Sequence, residues 1–136
     1  MRKEGRLTPY RRAVLEILRS IDDHPTAAEV FRLLRRRRPG VAYATIYNSL
    51  NWLKHRGLVG ELNFDQEAAR FDPIVARHDH LVCTECGALE NLQLKLPTKS
   101  LQHAGRQKSF RVQRYRIELF GVCRQCAKSI RPRPAP

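Results

Sequence analysis

The chain has 136 residues, enough for one ordinary domain or two small ones. Lys and Arg number 26 against 13 Asp and Glu, a net charge of +13 that suits a polyanionic partner such as nucleic acid. No apolar run approaches the roughly 20 residues needed to span a bilayer, and residues 1–12 lack the apolar stretch of a secretory signal. The expectation is a cytoplasmic protein, and in that reducing setting its four cysteines are expected as metal ligands rather than disulfides.

Taken in chain order, Thr8-Pro9 is a helix start, an N-cap followed by proline at the first helical position, with Val14, Ile17 and Leu18 recurring at helical spacing. Thr26 begins a second helix, with Glu29 completing a capping box and His24 at its beginning. Ala27, Val30, Phe31 and Leu34 form its apolar face, and Arg35 to Arg38 make a solvated basic end before Pro39-Gly40. A third helix is predicted over Ala44 to Arg56, with Ile46, Leu50 and Leu53 inward and Gly57 as its stop. Its other side carries Thr45, Tyr47, Asn48, Asn51 and Lys54. Two strands, Leu58 to Phe64 and Ala69 to Asp72, joined through Asp65-Gln66-Glu67, complete the order of a winged helix-turn-helix over residues 1–72.

Residues 1–60 contain 13 Lys or Arg and five Asp or Glu, the sign needed for phosphate binding. Tyr47 and Asn48 are the expected readers of base edges, with Thr45 beside them, because Asn can pair in a bidentate way with adenine. Arg11, Arg12 and Lys54 are expected on phosphates. Trp52 and Tyr43 are expected to pack.

Residues 73–130 read as a second domain. His78 to Val82, Leu89 to Leu96 and Val112 to Val122 alternate as strands do, and a short helix is predicted between Pro97 and Lys108. Residues 131–136 are too poor in apolar side chains to pack and are expected to be a disordered tail. Cys83-Thr-Glu-Cys86 and Cys123-Arg-Gln-Cys126 are two CxxC turns separated by 36 residues. Each aims two thiolates at one tetrahedral centre, and together they supply the four sulfurs of a closed structural Zn²⁺ site. A redox role for the thiols competes with this reading. His78 and His80 alternate on a strand and face one way, a pair able to converge on a divalent metal. Alone, HxH is a weak signal, equally compatible with a solvated pair.

The segments LTPYRRAVLEIL, HPTAAEVF, ATIYNSLNWLKHRGLV, RFD, HDHLVCTECG and GVCRQC, in this order over residues 7 to 128, resemble the ferric uptake regulator superfamily. Asp72 in RFD and Tyr47-Asn48 in the third helix resemble its peroxide-sensing branch. The resemblance implies an α+β protein, with an N-terminal winged helix-turn-helix DNA-binding domain and a C-terminal α/β dimerisation domain. It implies a homodimeric repressor acting on a palindromic operator in double-stranded DNA. It further implies a regulatory Fe²⁺ or Mn²⁺ held by His24, Asp72, His78 and His80. The branch's fifth ligand position, acidic in its relatives, falls on Asn91. This neutral amide would bind a divalent ion more weakly, and strand alternation turns the neighbouring Glu90 the other way. An additional metal site of iron-sensing relatives falls on Arg77 and on Arg114-Tyr115, and arginine cannot ligate at neutral pH. A single regulatory site per chain follows. Peroxide sensing is implied to proceed by metal-catalysed oxidation of His24 or His78 in the iron form, with the manganese form insensitive.

Repressors of the same superfamily that respond to iron, manganese or zinc are the alternative. A non-haem iron enzyme would need a substrate pocket that the chain has few residues left to build. A zinc-stabilised interaction module would bind no operator. The expectation is therefore a regulator, not an enzyme, with no organic substrate and no membrane partner.

Overall fold

The computed structural model describes residues 5–64 and 67–129. The tail expected to be disordered at 131–136, and Asp65 and Gln66 of the expected strand connection, lie outside the described residues. The chain divides into two compact units that part between Ala76 and Arg77. Among the described residues, no helix is long and apolar enough to cross a membrane.

Unit 1 is built from α1 (Pro9–Ser20), α2 (Ala27–Arg37) and α3 (Tyr43–His55), followed by the antiparallel pair β1 (Gly60–Leu62) and β2 (Arg70–Asp72). The helix starts are chemical. The Thr8 hydroxyl accepts from the Arg11 backbone NH, with Pro9 in the first turn. Thr26 and Glu29 form a reciprocal capping box, each side chain accepting from the other's backbone NH. Each helix then presents one apolar stripe to a common core. Val14 and Leu18 from α1, Val30 and Leu34 from α2, and Ile46, Leu50 and Leu53 from α3 are all essentially inaccessible to solvent. Burying each such side chain stabilises the unit by about 1.5–3 kcal/mol.

The sequence expectation that His24 begins the second helix needs correcting. Thr26 is the cap and bridges Arg70 of β2, and His24-Pro25 precede it outside the helix. The Pro25 carbonyl accepts from the Phe71 NH at 2.9 Å, and the His24 carbonyl accepts from Arg70 Nε at 2.7 Å. These bonds make His24 a neighbour of the RFD strand instead of a helix residue.

Unit 2 contains β3 (Asp79–Cys83), β4 (Leu89–Leu92), α4 (Thr98–Arg106), β5 (Glu118–Gly121) and α5 (Arg124–Ser129). Its sheet order is β4-β3-β5, with β3 antiparallel to β4 and parallel to β5. Two expected strands are shorter than their alternation suggested. The one beginning at Leu89 stops at Leu92, and the Leu94 NH turns to the carboxylate of Asp79 at 2.9 Å. The expected strand over Val112 to Val122 is a strand only from Glu118 to Gly121, with the Ile117 carbonyl accepting from the His80 NH just before it, while the Val112 carbonyl accepts from the Gln102 side chain of α4. Asp79, which sequence reasoning did not single out, is completely buried and also accepts from Arg77 at 2.8 Å.

The core of unit 1 yields a direct expectation. Leu50→Ala should lower the unfolding free energy by about 2–5 kcal/mol, since the site is enclosed by three helices that can collapse only in part. Urea denaturation followed by helical circular dichroism measures this, and a loss under about 1 kcal/mol would contradict the packing.

Candidate functional site

The cysteine site follows from the parallel pairing of β3 and β5. Parallel strands end at the same side of a sheet, and here Cys83 lies opposite Gly121. The chain segments leaving the two strands therefore start together. The Thr84 NH and hydroxyl both donate to the Gly121 carbonyl, at 2.8 and 3.2 Å, locking the two exits. After β3 the chain reverses through Gly87, whose φ of +73° is a left-handed conformation that glycine adopts without strain. The Cys83 NH and carbonyl pair with Ala88 and Gly87 across this turn. After β5, Cys123 precedes α5, which carries Cys126.

All four sulfurs lie within 4.8 Å of one another, and none is in a disulfide. Cys86 Sγ and Cys123 Sγ are 3.8 Å apart, which matches the edge of a tetrahedron whose arms are about 2.3 Å, the Zn–S length. The protons also fit a cation. The backbone NH groups of Cys123 and Cys86 lower the Cys83 thiol to about 6. Hydrogen bonding to the thiols of Cys123 and Cys86 pushes Cys126 up to about 12. The Cys83 thiolate is thus favoured and those of Cys126 and Cys86 are opposed until a divalent ion compensates their charge. The donor set fits Zn²⁺.

The histidine and carboxylate residues form one pair in each unit. In unit 1, His24 Nε2 stands 3.1 Å from Asp72 Oδ2, both side chains almost wholly buried. Asp72 Oδ1 accepts from the Ile74 NH at 2.8 Å, which fixes the carboxylate. The Phe71–Pro25 backbone bond and the Arg70 side-chain bond to the His24 carbonyl set the spacing of the pair. In unit 2, His78 and His80 face each other edge-on, with ring centroids 4.6 Å apart. Register places Asn91 directly opposite His80, and Glu90 opposite Leu81 on the other face of the sheet. The His/Asp residues offer nitrogen and oxygen donors without thiol, a set suited to Fe²⁺, Mn²⁺ or Zn²⁺. Arg77 is doubly engaged, paired with Asp79 and stacked 3.8 Å from the Tyr115 ring centroid.

On α3, Tyr47 and Asn48 are exposed and Thr45 is half-buried. Lys54 is tied to Glu61 of β1, joining helix to wing. Arg11 stacks over Trp52 at 4.3 Å and donates to the Arg6 carbonyl, while Arg56 lies over Trp52 at 5.2 Å. Arg12 is exposed and, with Arg6, Thr8 and Arg38, lines a cleft of about 610 Å³. Sequence reasoning passed over Arg6 and took Arg38 as part of a solvated end; their convergence depends on the packing of α1 and α2, which no local pattern reveals.

The model of the ferric uptake regulator family matches residues 2–120. The chain belongs to this family. Among its relatives, the peroxide operon regulator of Bacillus subtilis is 35% identical over 123 residues, covering 90% of this chain and 85% of that protein. The peroxide-responsive repressor of Staphylococcus epidermidis is 36% identical over 127 residues, with 93% and 85% covered. The solved Campylobacter jejuni peroxide stress regulator superposes with a TM-score of 0.72 at 30% identity, covering 87% of this chain and 89% of that one. The family's α+β fold, with its N-terminal helical unit, is the fold described above, and the chain carries a four-cysteine site of zinc type, with further donors in each unit, His24 and Asp72 in one and His78 and His80 in the other.

Within this family member, Cys83→Ser and Cys123→Ser should each abolish stoichiometric zinc and loosen unit 2, because three sulfurs leave a closed tetrahedral site incomplete. Elemental analysis of the purified variants, paired with amide hydrogen exchange, reads both effects. Full zinc content with unchanged protection in either variant would contradict the assignment.

Proposed function

We propose that the chain is a homodimeric, metal-dependent transcriptional repressor that senses peroxide. In this reading residues 1–72 bind a palindromic operator in double-stranded DNA and residues 73–130 dimerise. The protein works in the cytoplasm as a regulator, with no turnover of an organic substrate. The observation that carries the reading is the buried His24–Asp72 pair beside the RFD strand, in a chain that also sets His78 against His80 and whose relatives are peroxide-responsive regulators.

His24, Asp72, His78 and His80 would hold one exchangeable Fe²⁺ or Mn²⁺, with Asn91 as a fifth donor. Ferrous iron, when bound, supplies the one-electron reduction of peroxide that a manganous ion drives poorly. His24 and His78 are the side chains that would take up oxygen: one peroxide oxygen is added to an imidazole carbon and the other leaves as water. Because the ligands come from both units, their common engagement would restrict the freedom of one unit against the other. In a two-fold dimer that restriction selects one spacing of the two α3 helices, and so one operator geometry. Oxidation of either histidine removes a donor and releases the restriction.

The dimer reading is supported by β5, an edge strand of its sheet, where Leu119 and Phe120 stand exposed with Val122 just beyond. DNA reading is assigned to Tyr47 and Asn48, with Thr45 supporting them and Arg11, Arg12 and Lys54 on phosphates. A second reading, affinity-based iron sensing, is favoured by Asn91, whose neutral amide lowers the charge of the site.

Selection from a random duplex pool by the Mn²⁺-loaded chain should yield a palindrome. Peroxide should then release the iron form from it, leave the manganese form bound, and add one oxygen to His24 or His78 by mass spectrometry. Iron-activated binding that ignores peroxide would establish the second reading instead, and oxidation confined to the cysteines with zinc loss would make the chain a thiol switch. His24→Ala should retain zinc and the dimer while losing metal-activated binding.

Asn48→Ala should cost about 1–3 kcal/mol on the selected palindrome and far less on a scrambled duplex. Arg12→Ala should weaken both alike and reduce the salt slope. Equal losses on the two duplexes for Asn48→Ala would remove it from base reading.

A further inference from the structure

From Asn91 to Ile117 the sequence contains no Asp or Glu and seven Lys or Arg. Arg116 is held by Glu118 at 2.7 Å. The other six, Lys95, Lys99, Arg106, Lys108, Arg111 and Arg114, are exposed and have no acidic partner among the described residues. This concentration belongs to unit 2 and not to the helix-turn-helix unit that charge alone would nominate.

Several of these cations are mounted on folded structure. Lys99 and Arg106, seven residues apart, recur along one stripe of α4, and Gly105 is the buried residue of that helix. At the end of α4 the chain turns back through Ser109, at φ +53°, and the Phe110 NH donates to the Gly105 carbonyl at 2.9 Å. Only glycine permits this return, since a Cβ at residue 105 would stand 2.5 Å from the Phe110 carbonyl oxygen. Gln102 then donates to the Val112 carbonyl at 3.2 Å. Residues 110–112 are thereby strapped beside the helix, with Val112 turned in toward Gly105 and Arg111 left exposed.

The helix itself breaks a local rule. Its N-cap, Pro97, offers no side-chain bond, and its first turn has no acid and instead contains Lys99. A cation there opposes the helix dipole, whereas Arg106 in the last turn complements it. Helix stability accounts for Arg106 but not for Lys99, and departures of this kind mark functional surfaces.

We propose that this exposed basic segment of unit 2 binds the phosphate backbone of double-stranded DNA without regard to sequence. The absence of any acid over 27 residues matches a polyanion, and guanidinium groups suit phosphate oxygens. A lipid-inserting face needs a broad apolar side, and here only Leu96 and Phe110 are large exposed apolar residues among the described residues of the segment. The inference goes beyond the operator reading. It implies that removal of the regulatory metal ends sequence choice while the protein stays on DNA.

The test uses the zinc-loaded full-length chain without regulatory metal, titrated with a random-sequence duplex over a KCl series. The comparison is Lys99→Gln/Arg106→Gln/Arg111→Gln/Arg114→Gln, with zinc content and dimer mass as the check on folding. The slope of log K against log salt should fall by about 0.9 for each phosphate no longer neutralised, roughly two to four in all. The preference of the Mn²⁺ form for the selected palindrome should persist. A single Lys99→Glu variant removes ambiguity about folding: it should raise or preserve the melting temperature, because an acid suits a helix start, yet weaken random-duplex binding. An unchanged salt slope in both variants, with zinc retained, would overturn the proposal. So would weaker binding to phosphatidylglycerol vesicles with no change on DNA, which would make the segment a membrane surface. Failure of the operator reading shows separately, as absence of any palindrome preference in the parent chain.

Discussion

The convergence of four sulfurs is the constraint on which unit 2 depends. Among the described residues, the buried apolar side chains of that unit are Cys83 and Leu89, whereas unit 1 buries a continuous hydrocarbon core from three helices. A small sheet with so little interior cannot offset its own conformational entropy by burial. The thiols supply what hydrocarbon does not: they join the end of β3 to the segment after β5, and a zinc ion there would contribute folding free energy directly. The β3–β5 pairing and the cross-strand placement of Asn91 opposite His80 belong to the sheet that this junction closes, and His78 immediately precedes it.

The two units thus achieve order by different means, and the difference suits a family member with two kinds of metal chemistry. Closed sulfur coordination leaves no open position and favours permanence. The His/Asp donors are harder and form a set better matched to exchangeable divalent ions. Under the proposed function, separate donor chemistry would let the chain keep its architecture while a second ion exchanged.

Much of unit 1 was legible because its signals are local. Thr8-Pro9 and the Thr26/Glu29 box announce helix starts through groups three residues apart, and the apolar periodicity of α1 to α3 states which face is buried. The CxxC pairs were legible for the same reason. The length of β5 was not, since residues 112–122 alternate throughout while only Glu118 to Gly121 form the strand and the Val112 carbonyl accepts from Gln102 of α4. The place of His24 depended on the Arg70 side chain, 46 residues away, and on Phe71 pairing with the adjacent Pro25. Asp79 was overlooked because an acid flanked by two histidines reads as polar surface, and only the sheet shows its carboxylate receiving Arg77 and the Leu94 NH.

Trp52 is the only tryptophan in the chain, and it is gripped by the guanidinium groups of Arg11 and Arg56. Arg11 is also among the groups assigned to phosphate. An indole whose ring face is shared with a cation that DNA would attract is an optical probe built into the protein. Its emission should respond when that cation is drawn away, so docking could be followed in real time without a dye or a label, and with no other indole in the background.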